Sequence, residues 1–312
     1  MIKKISLIII LSLAAILVYV CYGRKDLILS KEEVKSRYRT PVSKFIHWKG
    51  NEIHYTDDGA GVPVLMIHGF GGSTNDFYVL DSLIRDRYRV IRVDVPGFGL
   101  SDFPADAEKN ADYSKFYDEF FTFFLDTLHL DSLYVMGNSL GGYMSWKLCV
   151  VHPDKVKKLV LFNSAGYDME NVLKSANVLI FRHMWVKALL QEGLPEYMTR
   201  RATKKIFYDN RFLTEKDVKR MNDLWNRKGN LDHVIAMVNS DKYIDTALIR
   251  KVVCPTLIIW GKYDQVVPVN HAARFHRDIP DSRVIIYDSC GHVPMMERPK
   301  DVRRDVLQFF SE

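Results

Sequence analysis

The sequence predicts an α/β fold with a mostly parallel eight-stranded sheet covered by helices on both faces, and three features of the chain predict it. Short, continuous apolar runs recur, amphipathic segments fill most gaps between the later ones, and glycine-rich turns follow directly on some of them. In order, Phe45–Trp48, Glu52–Thr56, Val64–His68, Val90–Asp94, Leu133–Gly137, Leu159–Phe162, Leu257–Gly261 and Val284–Tyr287 read as strands. Tyr113–Leu128, Leu140–Val151 and Val302–Phe310 carry helical periodicity. One gap is out of scale. Roughly 90 residues with several helical segments separate Phe162 from Leu257, far more than a crossover needs. Residues 167–250 are therefore expected to form a helical lid inserted after the sixth strand, with 44–166 and 251–312 as the core.

The 312 residues are 47% apolar and 26% charged, a globular composition that excludes collagen, coiled coil and a disulfide-rich miniprotein. A net charge of +6, spread along the chain without a basic block, gives no reason to expect nucleic acid. Cys21, Cys149, Cys254 and Cys290 show no CxxC spacing, so they read as small buried hydrophobes rather than zinc ligands or a disulfide framework. From Ile5 to Tyr22 no charge interrupts the chain, with Lys3, Lys4, Arg24 and Lys25 on the flanks. Such a run spans about 27 Å as a helix, close to the hydrocarbon thickness of a bilayer. Residues 1–25 are thus expected to be a single-pass N-terminal membrane anchor, preferred over a cleaved signal peptide because Cys21-Tyr22-Gly23 is a poor cleavage site. Basic flanks at both ends leave its orientation open. Residues 26–43, rich in charge up to Pro41, read as a charged tether.

The chemistry begins at Gly137-Asn138-Ser139-Leu140-Gly141, between a strand and a helix. A serine on such a strained turn projects its hydroxyl above the sheet, and the glycines let neighbouring backbone approach. Ser139 is the expected nucleophile. Acyl transfer also needs amides aimed at an oxyanion; the N–H of Leu140 and the N–H of Phe70, in the His68-Gly69-Phe70-Gly71-Gly72 loop, are the candidates. His68 precedes the serine at a strand end and reads as a loop-fixing residue. The acid and base should follow the serine in sequence, each in a loop at a strand's carboxyl end, which selects Asp264 and His292. Asp168 lies too far into the lid to compete, Asp94 reads as a loop brace, and His271 and His276 as surface residues. No metal or organic cofactor is expected.

The HGFGGS, DVPGFGLSD, GNSLGG, WGKYDQVVP and GHVPMMERP segments, in this order, resemble those of the α/β-hydrolase superfamily over about Phe45 to Phe310. Within it the chain looks most like membrane-anchored esterases and monoacylglycerol lipases. The resemblance implies a triad of Ser139, Asp264 and His292; a serine at the elbow argues against haloalkane dehalogenases and epoxide hydrolases, which need aspartate there. The expected function is a serine hydrolase cleaving carboxylic esters of small molecules or lipids through an acyl-enzyme. Anchor and lid both suit such a substrate, the lid offering Leu179, Phe181, Met184, Trp185, Leu189, Leu190, Tyr197, Met198, Phe207 and Tyr208. The alternative is a carbon–carbon bond hydrolase of aromatic-degradation dienoates. Those enzymes carry a similar elbow but usually have tryptophan after the histidine, where this chain has Val293.

Overall fold

The computed structural model describes residues 27–104, 112–167, 192–238 and 245–312. Its elements, in chain order, are α1 (Lys31–Tyr38), β1 (Ser43–Trp48), β2 (Asn51–Asp58), β3 (Pro63–Ile67), α2 (Tyr78–Ile84), β4 (Arg89–Val93), α3 (Tyr113–Thr127), β5 (Leu133–Asn138), α4 (Leu140–Val151) and β6 (Val156–Phe162). There follow α5 (Glu196–Lys204), α6 (Glu215–Trp225), α7 (Asn230–Val238), β7 (Thr256–Gly261), α8 (Asn270–Asp278), β8 (Ser282–Tyr287), α9 (Pro294–Glu297) and α10 (Pro299–Ser311). The eight strands form one sheet in the order β1-β2-β4-β3-β5-β6-β7-β8. β1 and β2 are antiparallel to each other, β2 is antiparallel to β4, and every remaining pair is parallel. This is the expected fold, each expected strand lying within an observed one to about a residue.

Local chemistry explains the elements. Lys49 and Gly50, both at positive φ, make the two-residue turn that matches the twist of the β1–β2 hairpin. Helix α3 starts where the Asp112 carboxylate accepts from Lys115 N, and its Phe116, Phe120 and Phe124 recur on one face at helical spacing. That face meets the hairpin, where Trp48 packs edge-on to Phe116 and Phe120. β7 is buried along its whole length, as a central parallel strand requires. Apolar clusters lie on both faces of the sheet, one gathering α3 and α4, the other α2 and α10. Cys149, Cys254 and Cys290 are buried and unpaired, as small hydrophobes should be.

Some expectations change. The membrane location is withdrawn: among the described residues no helix is long and apolar enough to cross a membrane, and residues 5–22, on which the expectation stands, lie outside the described residues. His271 is buried against the ring of Tyr167, whereas His276 is exposed as expected. The stretch read as a tether contains α1, capped by Ser30, whose Val34 is fully buried with Leu100 and Leu224. Arg37 and Tyr38 both bond Asp223 on α6, at 2.9 and 2.7 Å. Before it, Leu29 forms a parallel bridge with Arg227, its N–H donating to Asn226 O and its carbonyl accepting from Lys228 N.

The described part of the span read as a lid holds α5, α6 and α7. Its α6–α7 end is fastened to the loop after β4: Arg227 pairs with Asp102 at 2.7 Å and Asn230 Nδ2 donates to Gly99 O at 3.0 Å. Next to these, His233 is fully buried among Phe98, Phe103 and Tyr113, with Tyr117 Oη 3.2 Å from its Nε2. Burial pushes its pKa down to about 3.

Candidate functional site

Ser139 joins β5 to α4 with φ +53° and ψ −117°, a conformation rarely held by a side-chain-bearing residue and costing on the order of 1–3 kcal/mol. The surroundings hold it there. Its N–H donates to Phe162 O at 3.0 Å, and its carbonyl accepts from Ala165 N and Tyr143 N. Gly141 allows the turn to press against β3, because a Cβ at that position would come within 2.1 Å of Ile67 O. Ser139 Oγ has no hydrogen-bond partner among the described residues, so its contact with the expected base is not closed in this structure. Loose contacts of that kind are common before substrate binds.

At the same sheet edge, the loops after β7 and β8 bring Asp264 and His292 together. His292 Nδ1–H donates to Asp264 Oδ2 at 2.7 Å, between side chains that are 6% and 0% exposed. The carboxylate is saturated: Oδ1 accepts from Val266 N and Val267 N at 2.7 and 3.0 Å, and Oδ2 also accepts from Asn163 Nδ2 at 2.6 Å. Such a carboxylate fixes both the imidazole orientation and the tautomer with the proton on Nδ1, leaving Nε2 as the free base.

Sequence reasoning missed three residues here. Asn163, fully buried at the end of β6, holds Asp264 and also accepts from Gly261 N through its Oδ1. Asn138 Nδ2 donates to His292 O at 2.9 Å, tying the elbow to the histidine loop. Glu297 on α9 accepts from Gly291 N with one oxygen at 2.7 Å, and from Tyr208 N and Asp209 N with the other. Burial raises its pKa, against those three donors. His292 N donates to Ile206 O at 2.7 Å, so the histidine loop also leans on the segment just after α5. A polar residue at a strand's carboxyl end was the available signal for Asn138 and Asn163; nothing local marks Glu297.

Opposite lies the Gly69–Gly72 turn, closed by Gly72 N donating to Gly69 O at 3.1 Å, which leaves the Phe70 amide unused by the turn. The Leu140 amide is the first of α4 and has no intrahelical acceptor. His68 is the loop-fixing residue expected: its Nδ1–H donates to Gly69 O at 2.7 Å, and its Nε2 accepts from Val95 N at 3.0 Å. Both ring nitrogens are thereby committed. Asp94 braces the next loop by accepting from Thr74 N, Leu100 N and the buried His54. Burial would raise the Asp94 pKa, but His54 and the Leu100 amide hold it below the usual carboxylate range. Asp76 sits beneath the turn, its carboxyl filling the space a side chain at Gly72 would take; burial pushes its pKa up to about 6 against the opposing charge of Arg220.

Of the apolar lid residues expected to receive a substrate, Phe207 is buried in the sheet's core cluster, Tyr197 and Tyr208 are exposed, and Met198 is half-buried. The other six, and Asp168, lie outside the described residues. Among the described residues no group of three or more His, Cys, Asp or Glu could hold a metal ion.

A family model described as the alpha/beta hydrolase fold matches residues 62–299. A 2-hydroxy-6-oxo-6-(2'-aminophenyl)hexa-2,4-dienoic acid hydrolase from Metapseudomonas resinovorans is 32% identical over 303 residues, covering 90% of this chain and 93% of that protein. A 2-hydroxy-6-oxononadienedioate/2-hydroxy-6-oxononatrienedioate hydrolase from Cupriavidus pinatubonensis is 26% identical, covering 86% of this chain and 96% of that one. The crystal structure of a serine hydrolase involved in carbazole degradation superposes with a TM-score of 0.72 at 27% identity, over 86% of this chain and 98% of that chain. These relatives correct the sequence-based function and the likeness to membrane-anchored esterases and monoacylglycerol lipases: the two curated relatives are named for dienoates, not esters. Elbow and acid loop did not discriminate, because both chemistries begin with attack on a carbonyl, and Val293 after the histidine pointed away from the substrate class these relatives are named for.

Proposed function

The chain belongs to the α/β-hydrolase family, and from that premise we propose that it hydrolyses a carbon–carbon bond in a 2-hydroxy-6-oxo-2,4-dienoate, with Ser139 as nucleophile, His292 as base and Asp264 as the orienting acid. The observation that carries this reading is the 2.7 Å His292–Asp264 bond at the edge where the strained Ser139 stands, in a chain similar to hydrolases named for that substrate class.

The substrate's chemistry assigns the roles. In its 2-oxo tautomer, protonated at C5, the C6 ketone is an ordinary electrophile. Ser139 Oγ adds to C6 as His292 Nε2 takes its proton, and Asp264 balances the imidazolium. The oxyanion is held by the Phe70 and Leu140 amides. Collapse breaks the C5–C6 bond; the electron pair spreads from C5 to the C2 oxygen, which takes the proton from His292 and leaves as a 2-hydroxydienoate. Water, deprotonated by His292, then releases the carboxylic acid from Ser139.

The test is the decay of the absorbance of 2-hydroxy-6-oxo-6-phenylhexa-2,4-dienoate with purified protein, beside p-nitrophenyl esters. Turnover of the dienoate to benzoate and a 2-hydroxydienoate, abolished in Ser139→Ala, is expected. Failure to cleave any dienoate while esters turn over would refute the reading.

A further inference from the structure

We propose that Trp225, on the lid, is a positioning residue for the oxyanion loop, so that lid docking and the readiness of the Phe70 amide are coupled; this rests on the roles given above to Ser139 and to the Phe70 and Leu140 amides. An oxyanion donor has to stand 2.7–3.1 Å from where the charge develops, which leaves tenths of an ångström for drift. The loop that carries the Phe70 amide has little internal stiffness. Gly71 occupies its corner at φ +69°, one backbone bond closes the turn, and His68 holds only its near end. Glycine at a corner leaves neighbouring peptide planes free to reorient.

Trp225 holds the far end. Its Nε1–H donates to Gly71 O at 3.0 Å. The indole lies so close over Gly71 that a Cβ there would fall 2.3 Å from its Cζ2. Its ring also meets Phe70 edge-on, with centroids 6.1 Å apart. A residue that only filled space would do so equally well as phenylalanine; the N–H aimed at a loop carbonyl is what packing does not require. Trp225 ends α6, and Arg227 and Asn230, just beyond it, anchor this part of the lid to Asp102 and Gly99. The clamp therefore arrives with the lid, from a part of the chain more than 150 residues away in sequence.

The test uses the full chain with Trp225→Phe and, separately, with 3-benzothienylalanine at this position, an isostere that lacks the N–H and preserves the fold if phenylalanine does not. Four quantities are measured: the rate of phosphonylation of Ser139 by a fluorophosphonate, counted per labelled serine; kcat and KM on the dienoate; and the affinity for the 2-hydroxydienoate product. Phosphonylation and kcat should fall together by roughly five- to ten-fold, the equivalent of one neutral hydrogen bond, with KM and product affinity within about two-fold. A wild-type phosphonylation rate in the isostere, or a loss confined to Tm or to the labelled fraction, overturns the proposal. If wild type is labelled but cleaves no dienoate, the substrate reading fails while the labelling ratio still decides the role of Trp225.

Discussion

The two halves of the site reach the same sheet edge by opposite means. His292 sits in a loop held from several sides, by Asp264 on its ring, Asn138 on its carbonyl, Ile206 on its amide and Glu297 through Gly291. The oxyanion loop is a glycine turn with one closing bond, steadied by His68 at one end and Trp225 at the other. The half proposed to move protons is held at many points, because a misaligned imidazole is useless, whereas the half proposed to bind developing charge leans on a single indole N–H from the end of α6.

The sharpest way to break this comparison is to remove the reacting groups. Ser139→Ala and His292→Ala should each lower kcat by ~10⁴ to 10⁶-fold with an unchanged thermal transition, since the two act as a unit; fluorophosphonate should label wild type only. Asp264→Asn, which keeps the geometry but favours the wrong tautomer, should cost about 10⁴-fold in kcat with KM nearly constant. A loss of less than ten-fold would mean that the other fastenings alone orient the ring.

Glu297→Ala asks how much the histidine loop relies on its buried clamp. Three backbone donors lose their acceptor at once, so urea unfolding should show a loss of about 3 kcal/mol, with Glu297→Gln recovering part of it.

Two smaller effects concern buried ionisable groups near the lid and the turn, and they run in opposite directions with pH. The folded pKa of His233, about 3, lies below its unfolded value. In that window the unfolded chain binds more protons, so the His233 contribution is intact above about pH 6.5 and is lost as pH falls toward 3, at up to ~1 kcal/mol per pH unit. His233→Phe should flatten that slope in urea titrations. Asp76, raised to about 6, behaves in reverse: between about pH 4 and 6 the folded state holds the extra proton, and stability declines as pH rises. Asp76→Asn should therefore stabilise the protein at pH 7 by about 1 kcal/mol while doing little at pH 4. A destabilised Asp76→Asn at pH 7 would mean that the charge of Asp76 supports the oxyanion turn.

The strands were legible because parallel strands buried on both faces leave uninterrupted apolar runs, as in Leu257–Trp260. The elbow was legible because its glycines answer to backbone contacts, Gly141 against Ile67 O above all. Asn138, Asn163, Glu297 and Trp225 were not, since each acts on a partner about 90 to 154 residues away or through a neighbour's amide, and no local pattern encodes such a contact. His271 was misread because the helix carrying it turns that side chain toward Tyr167. The choice between ester and dienoate was illegible for a chemical reason: both reactions draw on the same nucleophile, base and oxyanion donors, so the motifs that reveal the machinery are silent about the bond it breaks.

The bridge between Leu29 and Arg227 gives the molecule an unusual load path. Leu29 precedes the hairpin in the chain, so tension applied at residue 27 would meet its two bonds to the Asn226–Lys228 segment, one residue beyond Trp225, before it meets β1. A truncation to residue 39 would remove that grip on the span read as a lid, together with the Val34 side chain wedged against Leu100 and Leu224.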